Sequence, residues 1–205
     1  MKKNKISKNW LKKKKRDPFF KRAQIEGYRS RSAFKLIEIN KKFKFLKKDI
    51  YLLDLGSSPG GWSQVARENI KGGKLLAVDI NDMEEINNVC FLKGNFYEEK
   101  TLENINSYFD KKIDVVLSDM AVNTTGNKSL DSYRTGELCL KAMDLSTKIL
   151  VKDGVFLSKI FMGSIYKEIN EKANKIFKKV SNFKPLSSKK ESKEIYIFCK
   201  GILKI

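Results

Sequence analysis

The sequence predicts an α/β protein built on a doubly wound, mostly parallel sheet with helices on both faces. Three observations carry that expectation. Short apolar runs of strand length at 51–55, 74–78, 89–92, 113–117 and 154–161 alternate with longer stretches of helical periodicity, a pattern that gives parallel strands joined by covering helices. The runs are nearly continuous in apolar residues, as strands buried on both faces are. A glycine-rich turn at 56–61 follows the first run and leads into a helical pattern from Ser63 onward. Such a turn lets backbone approach a ligand and aims free helix N–H groups at it, at the strand ends where open α/β sheets bind.

Residues 1–16 hold nine Lys or Arg and no acid, which predicts a mobile basic arm, either a solubilising tail or a phosphate-contacting one. Residues 17–205 are expected to form one domain, with no internal repeat. A helical pattern over 17–47 (Phe19, Phe20, Ala23, then Ala33, Phe34, Leu36, Ile37) is broken at Gly27. Half of all the Arg residues, Arg22, Arg29 and Arg31, fall within ten positions here and are candidate RNA contacts, because Arg grips phosphate bidentately. The second apolar run ends in Asp79, 23 residues after Gly56, the spacing at which an acid reaches ribose hydroxyls in a βαβ unit. The third ends near Asn95 and precedes a helix over 98–109; the fourth ends at Asp119. A polar loop at 123–131, an amphipathic helix over 132–150, a strand from Gly154 with Lys159 inside it, and a helix over 165–177 follow. A basic loop at 187–193 precedes a β-rich run at 194–199.

Composition bounds the partners and the compartment. The net charge of +19 points to a polyanion, discounted because only six of the 43 basic residues are Arg, so that part of the excess reflects compositional bias. With no His and three scattered cysteines (Cys90, Cys139, Cys199), a Cys/His metal site is excluded and a reducing, cytoplasmic compartment fits. No apolar run is long enough to span a membrane, and the basic N-terminus has no apolar segment behind it, so neither a membrane anchor nor a secretory signal is expected.

Asp79, Asp119 and Lys159 stand where a core prefers apolar residues. Lysine inside a strand is either an edge residue with its head in water or a paired functional group. An Asp at the end of the neighbouring strand favours the second.

The turn is not a dinucleotide loop: Pro59 lacks a donor and Trp62 sets a large ring at the helix start. The segment Asp54-Leu55-Gly56 resembles the signature of S-adenosylmethionine (SAM) methyltransferases. More specifically, RSRSAFKL at 29–36, LDLGSSPGGWSQ at 53–64, SDMA at 118–121, Lys159 in its strand and SKEIYIF at 192–198 resemble, in order, the RlmE/FtsJ family. These are bacterial enzymes that methylate a ribose 2′-hydroxyl of large-subunit ribosomal RNA. The resemblance implies a Rossmann-like, SAM-dependent methyltransferase fold with a seven-stranded sheet. It implies a Lys-Asp-Lys-Glu catalytic tetrad at Lys35, Asp119, Lys159 and Glu194. It also implies cofactor contacts at Gly60, Trp62, Asp79, Asn95 and Asp119, with Asn95 standing where the family usually has Asp beside adenine, and Val122 where it often has Pro.

The chemistry asks for these groups. A ribose hydroxyl is a poor nucleophile until its proton is leaving, so a base must lie within hydrogen-bonding reach. Lys159 is the expected base, a second cation at Lys35 favours its neutral form, and Asp119 and Glu194 orient the lysines. No metal is needed, since the methyl is already activated on a sulfonium. The expected partner is 23S ribosomal RNA within the 50S particle, with a uridine as target and the enzyme a monomer. Competing readings are a transfer-RNA ribose methyltransferase of the same superfamily and a non-catalytic ribosome-assembly factor. Base methylation is disfavoured, because neither a Pro-Pro-aromatic segment nor a Cys stands at the site positions.

Overall fold

The computed structural model describes residues 17–122 and 125–203; the basic arm at 1–16 lies outside them. Seven strands form one sheet: β1 (Leu52–Leu55), β2 (Leu75–Asp79), β3 (Cys90–Lys93), β4 (Ile113–Ser118), β5 (Leu150–Phe161), β6 (Phe177–Phe183) and β7 (Glu194–Ile202). Their spatial order is β3-β2-β1-β4-β5-β7-β6. The β1–β2, β2–β3, β1–β4 and β4–β5 pairs are parallel, while β7 runs antiparallel to both β5 and β6. The order reverses between β1 and β4, and ligands of open α/β sheets bind outside the strand carboxyl ends at such a switch point.

Six helices occur among the described residues: α1 (Pro18–Ile25), α2 (Ala33–Phe43), α3 (Gly61–Ile70), α4 (Glu99–Tyr108), α5 (Lys128–Ile149) and α6 (Tyr166–Ile176). Strand alternation divides the core in two. Leu53, Leu55, Val116, Phe156, Ile160, Ile195 and Ile197 face one way, onto α4, α5 and α6. Leu52, Ala77, Val115, Leu117, Leu157, Tyr196 and Phe198 face the other, onto α2 and α3. Both faces of the central strands are thus dry, which is why β1 and β2 are buried at every position.

Four sequence expectations need correction. The third strand is not a buried run: β3 lies at the sheet edge, and its residues are half-buried or exposed. The long helix starts at Lys128, not 132, because Asn127 caps it, accepting from the backbone N–H groups of Ser129 and Leu130. The fifth strand begins at Leu150, with a register irregularity against β4 that absorbs the residues before Val155. The seventh strand of the expected sheet had no place assigned in the sequence: it is β6, whose sequence, FKKVSNF, follows α6 without any turn residue to announce it. The break at Gly27 is confirmed, and Asp17 caps the helix before it by accepting from Phe19 and Phe20 N–H.

Candidate active site

The glycine turn after β1 is shaped by two positions that side chains would spoil. Gly56 has φ +73°, and a Cβ there would come within 2.4 Å of the Met120 side chain, so the turn and the segment after β4 can approach only with glycine. Gly60 caps α3 at φ +111°. The first-turn N–H groups of Gly61, Trp62 and Ser63 have no acceptor within the helix, and the helix begins at the turn that follows β1.

Four carboxylates or lysines line this end of the sheet on the α2/α3 face. Asp54, wholly buried, accepts from Ser63 Oγ at 2.6 Å, and its other oxygen has no partner among the described residues. Burial pushes its carboxyl up to about 7, with Asp119 and Asp79 adding to the rise and the Ser63 bond opposing it. Asp79 accepts from Ser58 N–H at 3.0 Å through one oxygen and from Asn81 N–H at 2.8 Å through the other. It therefore ties the glycine turn to the chain after β2. Asp119 follows β4 directly, and Lys159 lies beside it in β5, since Ser118 and Ser158 are register partners. Lys159 is a central-strand residue, 8% exposed, and not the edge lysine of the blander reading. Its Nζ donates to Asp119 Oδ1 at 3.0 Å and to the Asp119 carbonyl.

A second ion pair stands next to the first. Lys35 reaches down from α2 to Glu194 at the start of β7, 2.7 Å from Oε1 and 2.8 Å from Oε2. Ser188 Oγ lies 2.8 Å from Glu194 Oε1. Burial alone would raise the Asp119 carboxyl, but the Lys159 and Lys35 ammoniums and the bonds from Lys159 and Tyr196 outweigh it and hold it below the ordinary carboxylate range. The four residues expected as a tetrad are brought together in two pairs on one sheet face.

The expected cofactor contacts are placed less uniformly. Gly60 and Asp79 line the turn. Asn95 is half-buried after β3, its carbonyl accepting from Glu98 N–H. Trp62 turns its ring inward: it is 2% exposed, donates Nε1–H to the Ser32 carbonyl and packs 5.5 Å from Tyr196, so its indole belongs to the core. The three arginines do not form a free phosphate clamp. Arg29 donates to the carbonyls of Pro59, Glu84 and Glu85, locking the glycine turn to the loop after β2. Arg31 pairs with Asp17 at 2.5 Å and donates to the Ser187 carbonyl; Arg22 pairs with Glu26 and lies over the Phe34 ring. Charge clustering in the sequence cannot distinguish an arginine aimed outward from one folded onto its own backbone.

Sequence reasoning missed Asp54 as a site residue, although it stands in a quoted motif, and missed Tyr196, whose hydroxyl donates to Asp119 Oδ1 at 2.9 Å. The signal for Asp54 was an acid inside an apolar strand. The donor set suits a polar, partly anionic cofactor: a glycine cradle, free helix N–H groups, a carboxylate at β2, and the unpartnered Asp54 Oδ1 and Ser57 Oγ. Among the described residues no cluster of His, Cys, Asp or Glu suited to a metal ion occurs.

The chain is similar to known proteins in sequence and in fold. Residues 28–202 match the model of the FtsJ-like methyltransferase family. A Pelagibacter ubique protein named ribosomal RNA large subunit methyltransferase E is 53% identical over 200 residues, spanning 98% of each chain. The crystal structure of a Plasmodium falciparum protein described as a ribosomal RNA methyltransferase superposes with TM-score 0.77 at 35% identity, covering 87% of this chain and all of that one. A Streptococcus mutans methyltransferase-like structure, solved with S-adenosylhomocysteine, shares the fold alone (TM-score 0.53, 13% identity, 83% of this chain and 95% of that one). The chain belongs to the FtsJ-like methyltransferase family, and its methyl donor is SAM.

Proposed function

We propose that this protein methylates a ribose 2′-hydroxyl, that of a uridine, in 23S ribosomal RNA within the 50S particle, with Lys159 as general base. The observation that carries the reading is a buried lysine in a central strand, its Nζ on Asp119 at the mouth of the crevice, with the Lys35–Glu194 pair beside it. The relatives' shared name, large-subunit ribosomal RNA methyltransferase, supports the substrate. Bound SAM supplies a methyl activated on sulfur. Lys159 in its neutral form accepts the 2′-hydroxyl proton as the oxygen takes the methyl, leaving S-adenosylhomocysteine and a protonated lysine. Asp119 orients Lys159 and stabilises the charge it gains. Lys35, held by Glu194, adds positive potential beside the reacting oxygen. The three free cysteines suit a cytoplasmic enzyme, and one chain carries the whole tetrad, so the reading takes it as a monomer.

Lys159→Ala tests the reading, using large-subunit particles from cells lacking the enzyme. Turnover should fall by roughly two to four decades, the range typical of a lost general base, with SAM affinity nearly unchanged. Retention of most activity would remove Lys159 from the chemistry. Methyl appearing on a base, or on transfer RNA instead, would overturn the substrate.

A further inference from the structure

Tyr196 touches both ion pairs. Its hydroxyl donates to Asp119 Oδ1 at 2.9 Å, and the Lys35 ammonium lies 5.8 Å from the centre of its ring. In register it stands directly opposite Lys159 on β5, so Asp119, Lys159 and Tyr196 form one rank across β4, β5 and β7. Packing does not call for its hydroxyl. The ring is fully buried against Trp62, and two residues on, the same face of β7 carries Phe198, stacked 4.0 Å from Phe43. A phenylalanine would fill the position at 196 equally well. The oxygen thus serves Asp119.

We propose that Tyr196 is a positioning residue for the methyl transfer: its hydroxyl fixes the Asp119 carboxylate against Lys159 and tunes how readily Lys159 takes the ribose proton. This rests on Lys159 being the base. Asp119 Oδ1 accepts from Lys159 and Tyr196 together, so the phenol both limits rotation of the carboxylate and draws off part of its negative charge. Burial, followed by the negative charges of Asp119 and Glu194, holds the phenol protonated far above neutral pH, so it acts there as a donor. With the hydroxyl gone, the carboxylate is freer to turn and more of its negative charge falls on Lys159.

The test is Tyr196→Phe, assayed on the same particles. The expected result is a drop in kcat of about tenfold, a kcat profile displaced to higher pH, and unchanged SAM affinity. Replacing Tyr196 alone by 3-fluorotyrosine, a near-isosteric and stronger donor, should displace the profile to lower pH, and it keeps the test open if the Phe variant folds poorly. In an Asp119→Asn background, Tyr196→Phe should lower kcat little further. A wild-type pH profile in both Tyr196 variants, or a loss confined to melting temperature, would overturn the proposal. Because wild type is assayed alongside, an inactive wild type would instead count against the proposed function.

Discussion

Replacing Asp54 by Asn should make the ligand-free protein more stable at neutral and alkaline pH, although Asp54 stands in the heart of the site. Its carboxyl is pushed from an ordinary 3.8 up to about 7 by burial, reinforced by Asp119 and Asp79 and opposed by the Ser63 hydrogen bond. The folded state therefore holds a proton that the unfolded chain releases near pH 4. A raised acid contributes its full stability below the unfolded value and loses it as pH rises toward the folded one. A shift of about three units corresponds to a loss of about 4 kcal/mol once pH exceeds 7, of which about 2–3 kcal/mol falls between pH 5 and pH 8. Asn accepts from Ser63 as Asp does and carries no titrating proton. Denaturant unfolding of both proteins at pH 5 and pH 8 isolates the difference, since other carboxylates, including Asp119 with its opposite slope, cancel between the variants. Asp54→Asn should gain about 2–3 kcal/mol relative to wild type on going from pH 5 to pH 8. Parallel pH dependences would show that Asp54 is ionised in the fold at neutral pH and that the crevice is wetter than its burial indicates.

Arg29→Ala should weaken SAM binding about tenfold by calorimetry, because the glycine turn loses three guanidinium bonds that hold it to the loop after β2; unchanged affinity would return Arg29 to the RNA side. Deleting residues 1–16 removes nine positive charges. If these contact phosphate, the slope of log RNA affinity against log salt becomes shallower by somewhat under one unit per lost contact, with SAM affinity constant. An unchanged slope would make the arm a solvated tail.

Much of the fold was legible because the central strands are buried on both faces and so cannot afford polar residues except at a site. That made β1, β2, β4 and β5 readable as apolar runs, and it made Asp119 and Lys159 stand out within them. The edges were less legible for the same reason. Strand β3 pairs on one side only, and β6 carries Lys178 and Lys179 at exposed positions, so neither is held to the apolar pattern. The partners of Arg29 were not legible, because one is a backbone carbonyl from a loop 55 residues away, and carbonyls leave no mark in a sequence. Trp62 was legible as part of a motif, but its inward ring depends on the carbonyl of Ser32, just before α2.

The antiparallel strand β7 explains why the site joins residues from α2 to the end of the sheet's chain order, Lys35 to Tyr196. Parallel strands bring only their carboxyl ends to the crevice. Strand β7, running the other way, brings its beginning, so Glu194 arrives opposite Phe161 and Tyr196 opposite Lys159. Residues 194 and 196 share a face because strand side chains alternate, and Ile195 between them is sent into the opposite core. A one-residue slip of β7 would bury Glu194 among the α5 and α6 side chains and present isoleucine to Asp119. The register is fixed from outside the site as well. Glu38 on α2 accepts from the N–H groups of Leu186 and Ser187, and Arg31 donates to the Ser187 carbonyl, so the basic loop before β7 is anchored to the helix that carries Lys35. Arg31, one of the three arginines expected on the RNA side, thus joins Glu38 in holding the start of β7 against α2, and through it the approach of Lys35 to Glu194.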